Sequence, residues 1–439
     1  MSDSSTARAP AEFTPREGRR AVVAAVTGNA LEFYDFITYA FFAIQIGHTF
    51  FPPELTSHGL LASLITFGLG FVPRPVGAFV LGRFADRHGR KPSMLLSMVL
   101  MGTGMFILVV TPGYARIGIA APIIALCARM IQGFALGGEV GSATAYMLES
   151  ASLGKRALTV SWQAASQNIA ATVGTLVGLG LSFALSAAAF DIYGWRIALA
   201  CGILIVPFAL WIRSSLPETL HRAEAPDEVE NTGVRGYAKV LVLGFLMIGS
   251  GTIATYVGQY FTTFGQDTLH FSTTISMSAE FGSNFASVAF GLWGGWLADR
   301  LGRRKLMIWP QLLFVLSIVP LFWWFTTAQT AFSFILGVLL VSILSTPQYA
   351  AVYATINESL PRAVRARAFA LVYSLPVTIL GGTTQPFVTW LLHVTGNPMA
   401  LAWYLTGVSA IGLVAMWLMH ETSPRHKLAP PLLGEPVPL

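Results

Sequence analysis

Charge is what this chain has least of. Only 11% of its 439 residues are Asp, Glu, Lys or Arg, while 54% are hydrophobic and the mean hydropathy is +0.63. A soluble chain of this size carries about 25% charged residues, so a water-exposed globule is excluded for want of polar surface. Cysteine is equally scarce. Cys127 and Cys201 each fall inside an apolar run, which argues against a disulfide framework or a metal cluster and reads as packing. No GxxxxGK[ST] loop is present, so ATP-driven export is not expected. Nor is there an HExxH or paired-cysteine motif, and neither enzyme chemistry nor a metal or other cofactor is expected. Histidine and lysine are missing from the depths of the apolar runs, which leaves carboxylates to carry protons. Short alternating segments of the kind a membrane β-barrel needs are also missing.

What is there instead is a succession of apolar runs long enough to cross a membrane as helices. Twelve spans are predicted, over about 22–47, 57–81, 93–111, 118–146, 159–185, 195–214, 237–263, 273–297, 306–326, 329–353, 367–392 and 398–419. The fold class is therefore an all-α integral membrane protein. Basic residues fix its orientation. Arg16, Arg19 and Arg20 precede the first span; Arg83, Arg87, Arg90 and Lys91 follow the second. Lys155 and Arg156 follow the fourth, Arg300, Arg303, Arg304 and Lys305 the eighth, and Arg362, Arg365 and Arg367 the tenth. All lie on one side of an alternating chain, and the positive-inside rule makes that side cytoplasmic, with both termini. The net charge of +6 thus reflects topology and not nucleic-acid binding.

Five segments follow: a polar N-terminal tail (1–21) without the apolar centre of a signal peptide, a six-span half (22–214), a linker (215–236), a second six-span half (237–419) and a C-terminal tail (420–439). The linker holds Glu224, Pro226, Asp227, Glu228 and Glu230, and is too short for a domain. The halves are related. GRFADRHGRK, Gly82 to Lys91, returns as GWLADRLGRRK, Gly295 to Lys305, which aligns Asp86 with Asp299 and Arg90 with Arg303. Glu149 to Arg156 after span 4 matches Glu358 to Arg365 after span 10, and LPET after span 6 matches ETSPR after span 12. Three loops matching in order indicate internal duplication.

These motifs carry a family resemblance. The two DRxGRR-like loops, ARMIQGFALGGE (Ala128 to Glu139) and the PET and ETSPR span ends resemble the major facilitator superfamily over roughly residues 20 to 425. GNALEFYDF (Gly28 to Phe36), FGLGFVPRPVGAFVLGRFADRHGRK (Phe67 to Lys91) and SWQAASQN (Ser161 to Asn168) resemble its metabolite–proton symporters, most of all the citrate and tricarballylate branch. The resemblance implies the twelve-helix fold of two pseudo-symmetric halves, alternating access, and an acidic proton-coupling motif in the first helix.

Charges within the spans mark the candidate site. Arg74 in span 2 and Arg129 in span 4 stay protonated and need partners. Their planar forks match a substrate carboxylate; the alternative partner is a helix acid or backbone carbonyl. Glu32 and Asp35 share one face of span 1, three residues apart. Two carboxylates so close favour keeping a proton; equally, they can neutralise the arginines. Glu280 in span 8 is a further proton-coupling candidate, or part of an outer gate. Gln163, Gln167 and Asn168 in span 5, Tyr256 and Tyr260 in span 7 and Asn284 in span 8 are candidate substrate donors, or else ties between helices. Tyr373 in span 11 is a weaker one. Asp86, Arg87, Arg90 and Glu149, with Asp299, Arg300, Arg303 and Glu358, form candidate cytoplasmic gates.

The expected function is proton-coupled import of an organic anion, with citrate or tricarballylate foremost. α-Ketoglutarate, a dicarboxylate, a shikimate-like acid and a zwitterion such as betaine are alternatives, and a transporter-like sensor is a remote one. Sodium coupling through the same carboxylates stays open. The expected partners are the substrate and membrane lipid, with a monomer as the functional unit.

Overall fold

The computed structural model describes residues 37–52, 59–88, 90–137, 154–214, 237–360 and 365–423, together with residues 23, 26–27, 29–30, 33–35 and 151. Glu32, Glu149 and the expected linker lie outside them. So do the side chains of Asp86, Arg87 and Arg90, although their backbone continues the helix Arg74–His88 and opens the helix Arg90–Val110. Almost everything described is helical, and the twelve spans follow in the expected order.

Several helices outrun the hydrophobic pattern. Span 5 is Arg156–Ala184, span 8 is Thr273–Leu301 and span 9 is Arg303–Ala328. Lengths of 29, 29 and 26 residues correspond to roughly 40 Å at 1.5 Å per residue, longer than a hydrocarbon core of about 30 Å. Polar residues close their ends. Ser272 accepts a hydrogen bond from the Ile275 N–H at the start of span 8. Thr330 and Ser333 form a reciprocal box at the start of the next span-forming helix, Ala331–Ser345.

Spans 2, 10 and 11 are interrupted, each for a local reason. In span 2, Gly59–Leu69 and Arg74–His88 are separated by residues 70–73. Pro73 and Pro75 have no N–H to give, and Phe71, Val72 and Arg74 are joined by tighter turns, such as Arg74 N to Phe71 O at 3.0 Å. Span 10 breaks at residues 346–348, beside Pro347, between Ala331–Ser345 and Tyr349–Ser359. Span 11 passes from Arg365–Pro376 to Gly382–Thr395 through a wide turn, Val377–Gly381. Gly68 faces the carbonyl of Gly382, so the broken spans 2 and 11 meet where neither has a side chain.

Spans 2 and 4 are held together by glycine as well. Gly133 and Gly137 are four residues apart in Ala120–Gly137, on one helix face, and look onto the carbonyls of Gly70 and Arg74. Any larger residue would collide with backbone there. This small-xxx-small contact sets Arg74 and Arg129 close together.

Inter-half contacts run along spans 5 and 8. Near one end Ser182 and Thr274 hydroxyls lie 3.3 Å apart, and Gly178 faces Met277. Toward the face that carries the basic loops, Gly295 faces Ser161. At that face, the Asp299 carboxylate accepts hydrogen bonds from the Ala157 and Leu158 N–H groups at 3.1 and 2.9 Å. Among the described residues, the halves therefore touch on both sides of the central arginines, which is an occluded arrangement. Trp293, Trp309, Trp323, Trp390, Trp403 and Trp417 are exposed, as lipid-facing aromatics would be. Cys127, read above as packing, is exposed on this surface, while Cys201 is half-buried.

Candidate functional site

Arg129 lies at the centre and is fully buried. Its Nη1 donates to Gln132 Oε1 at 2.7 Å and stands 3.6 Å from Asp35 Oδ2. Gln132 sits one turn along the same helix, so sequence spacing alone puts it within reach. The guanidinium also lies 4.5 Å from the Tyr39 ring centre and 5.4 Å from that of Phe67. These ring faces attract the cation and orient its plane. Asp35 is equally buried, and its carboxylate accepts no hydrogen bond. The ion pair is thus in contact but not closed.

Arg74 follows the break in span 2. Its guanidinium carbon sits 3.9 Å from the Phe71 ring centre, with Tyr256 beside it. Tyr256 packs edge-on against Phe71 and Phe67, at 5.3 and 6.1 Å between ring centres. A tyrosine of span 7 is therefore seated on aromatics of span 2, joining the two halves. Tyr373 of span 11 lies near Arg74 and faces Gln163 and Gln167 of span 5. Gln163 is fully buried, and neither atom of its amide makes a hydrogen bond; the Gln167 Nε2 likewise makes none. Asn29 holds the span 5 backbone beside them, donating to Gln163 O at 3.1 Å and to Ser166 Oγ at 2.7 Å.

The structure thus brings together Asp35, Arg74, Arg129, Gln163, Gln167 and Tyr256 from five spans. It sets three other candidates apart. Asn168 turns to its own helix and donates to Ala164 O at 3.1 Å. Tyr260 accepts from Thr389 at 3.0 Å within a phenylalanine-rich cluster. Asn284 donates to Glu280 Oε1 at 3.1 Å, one turn away on span 8. Tyr39, Phe67, Phe71 and Gln132 were not singled out from sequence. The aromatic three look like ordinary core residues until the arginines are placed against them.

At the basic face, Arg303 is fully buried and bridges two acids: Asp299 Oδ1 at 2.8 Å and Glu358 Oε1 at 3.3 Å. Glu421 accepts from the N–H groups of Arg303 and Arg304 at 3.0 Å each, and Thr422 donates to the other Glu358 oxygen at 2.8 Å. Those backbone amides open span 9, where a carboxylate suits the positive end of the helix. Asp299 does the same for span 5. Arg300 is exposed and lies over Trp296, 4.0 Å from its ring centre, outside this network.

Two family models match the chain, "Sugar (and other) transporter" over residues 20–225 and "Major Facilitator Superfamily" over residues 280–439. The chain is 34% identical over 418 residues to the citrate-proton symporter of Salmonella typhi, covering 92% of this chain and 95% of that one. It is 32% identical over 435 residues to the alpha-ketoglutarate permease of Escherichia coli, covering 95% and 98%. Among solved structures, a D-xylose-proton symporter superposes with a TM-score of 0.74 at 18% identity, covering 92% of this chain and 98% of that one. By sequence relatives across nearly its whole length, and by a fold of two six-helix halves around a buried polar centre, this chain belongs to the major facilitator superfamily of membrane transporters.

Proposed function

We propose that this chain is a proton-coupled symporter that imports an organic anion with more than one carboxylate, citrate or tricarballylate foremost. The observation that carries the reading is the central pair of buried arginines, with the Asp35 carboxylate beside Arg129. Arg74 and Arg129 place two guanidinium forks in one buried centre. Guanidinium forks suit carboxylates, and the buried Gln163 and Gln167 amides suit a further carboxylate or a hydroxyl. The similarity to a citrate-proton symporter supports both the substrate class and the coupling ion.

Coupling follows from competition at Arg129. While Asp35 is charged it attracts the Arg129 fork that a substrate carboxylate needs. A proton on Asp35 removes that competitor and leaves Arg129 to the anion. Release of substrate restores the ion pair and favours release of the proton. The halves, 22–214 and 237–419, rock around the centre and expose it to each side in turn. Sodium, the other candidate coupling ion, would need a shell of oxygen ligands at Asp35. The basic face is cytoplasmic, as are both termini. The protein resides in the bacterial inner membrane, surrounded by lipid, and works as a monomer.

Each proton imported with the anion also offsets about 2.3 kcal/mol per charge at 100 mV, negative inside. The test is uptake by the purified chain in lipid vesicles under a pH gradient or a sodium gradient, applied separately. Citrate, tricarballylate, α-ketoglutarate, succinate, shikimate and betaine are the competitors. Uptake driven by the pH gradient and inhibited by both tricarboxylates is expected. Competition by shikimate or betaine but by neither tricarboxylate would overturn the assignment.

A further inference from the structure

Glu280 is, among the described residues, a further carboxylate buried deep within a span, and the central site does not use it. It lies seven residues into span 8, roughly 10 Å from the outer end of the helix. Its exposure is 1%. Asn284 Nδ2 donates to Oε1 at 3.1 Å, and Oε2 accepts no hydrogen bond. On span 8, Thr274 and Met277 meet span 5, while Ser283 and Ser287 meet Ser342 and Thr346 of span 10. Glu280 stands between these two faces and points to the interior of the fold.

The surroundings offer it no counter-ion. Among the described residues packed against span 8, Arg156 of span 5 and Arg303, Arg304 and Lys305 of span 9 lie at the basic face, as do Lys239 of span 7 and Glu358 of span 10. Ala331–Ser345 contributes no titratable group. Tyr256 and Tyr260 of span 7, Tyr349 and Tyr353 of span 10, and Asp267 and the exposed His270 between spans 7 and 8 are the other titratable groups on these segments, and none of them forms an ion pair with Glu280. A carboxylate carried out of water with one amide donor and no cation is costly; the same group carrying a proton is neutral, and its O–H can donate. Asp35, by contrast, sits beside Arg129 and can be charged or neutral at modest cost.

We propose that Glu280 carries a second co-transported proton, in the C-terminal half and independent of Asp35, so that each turnover moves at least two protons. This rests on the proton-symport reading above. The proton arrives from outside water when the outer ends of spans 5 and 8 part, converts the Glu280 carboxylate to the acid and crosses with the closing centre. It leaves to the cytoplasmic side when the opposite ends part, and the carboxylate is restored. No bond other than O–H forms or breaks. Two protons balance a dianion, so import of a doubly charged substrate would proceed without net charge.

The experiment is the proton-to-substrate ratio, measured in proteoliposomes with the membrane potential clamped at zero, from the citrate gradient at which net citrate flux vanishes under a fixed pH gradient. Glu280→Gln should lower the wild-type ratio by one, and Glu280→Asp, which keeps a carboxyl, should restore it. An unchanged ratio in Glu280→Gln overturns the second site and leaves proton symport standing. A wild type that moves no protons with citrate overturns both. A second measurement covers a Glu280→Gln chain that does not insert. Infrared spectra of wild-type protein grown with carbon-13 glutamate should show an isotope-shifted protonated-carboxyl band at mildly acidic pH. Glu280→Asp should lose this band, because its carboxyl is no longer labelled. Absence of the band in wild type, or its persistence in Glu280→Asp, overturns the proposal.

Discussion

Two buried arginines of this chain, Arg129 at the centre and Arg303 at the basic face, have the same exposure, 0%, and opposite surroundings. Arg303 bonds Asp299 at 2.8 Å and Glu358 at 3.3 Å, and both acids are held in turn by other donors. Arg129 faces Asp35 at 3.6 Å, and that acid accepts no hydrogen bond at all. We read the first arrangement as a latch: Asp299 spends its lone pairs on the start of span 5 and Glu358 on the Thr422 hydroxyl, which ties spans 5, 8, 9 and 10 together. We read the second as a working pair, loose enough for a proton on Asp35 or a carboxylate on Arg129 to replace the interaction. A buried pair adds little net stability when intact, but losing one partner strands the other charge.

Breaking the working pair should have the largest effect. Arg129→Glu places two acids face to face and should reduce uptake by on the order of a thousandfold, since a stranded buried charge costs about 3–5 kcal/mol and each 1.4 kcal/mol is tenfold. Membrane insertion, measured by protein level and monodispersity in detergent, should persist. Normal uptake would remove Arg129 from the site.

Asp35→Asn should separate exchange from accumulation. The neutral amide releases Arg129, so exchange of internal for external substrate should continue while concentrative uptake under a pH gradient falls to equilibrium levels. Continued accumulation would show that Asp35 is not the coupling group.

The latch should yield less. Asp299→Asn keeps the shape but weakens the charge-assisted bonds to Arg303 and to the start of span 5, for a loss of about 1–3 kcal/mol, or roughly 5- to 150-fold in the equilibrium between closed and open basic faces. Labelling of a cysteine placed on the cytoplasmic side of span 5 should quicken accordingly, with substrate affinity changing little. Labelling at the wild-type rate would reduce the latch to a topology signal.

Tyr256→Phe should have the smallest effect. It removes one neutral acceptor beside Arg74 and keeps the ring against Phe67 and Phe71. A loss of about 1 kcal/mol corresponds to roughly a fivefold weaker apparent affinity. A larger loss with unchanged maximal rate would mean that the hydroxyl contacts the substrate directly.

The latch was partly legible in sequence because its residues recur. The Asp–Arg–x–Gly order appears twice, and Glu358 repeats the place of Glu149. Glu421 belongs to the quoted ETSPR motif, but its role in capping span 9 depends on how the chain end folds back and has no local signal. The centre was legible only as a set of residue types. Charged and amide side chains in apolar runs stand out because burial makes them costly, and that marked Asp35, Arg74, Arg129, Gln163 and Gln167. The same signal marked Asn168, which bonds to its own backbone, and Tyr260, which lies in a different cluster. Helical spacing could have found Gln132. It could not have found Tyr39, Phe67 or Phe71, because a phenyl ring beside a guanidinium has the composition of any hydrophobic core.

Sequence alone determined the number and order of the spans, their duplication and the side on which basic charge collects. These depend on the solvent: lipid admits a backbone only as a closed helix, and free charge is kept to the surface. The irregular helix at Pro73 and Pro75 belongs to the same class, since a missing N–H is a local fact, whereas Pro310 and Pro320 lie inside the unbroken span 9 and Pro347 beside a break. Tertiary structure decided which charges meet. Arg74 and Arg129 lie 55 residues apart in the chain, and the glycine contacts of Gly70, Gly133 and Gly137 bring their helices together. Whether a buried acid becomes a latch, a working pair or an unaccompanied carboxylate depends on the donors within about 3–4 Å, and those come from helices distant in sequence.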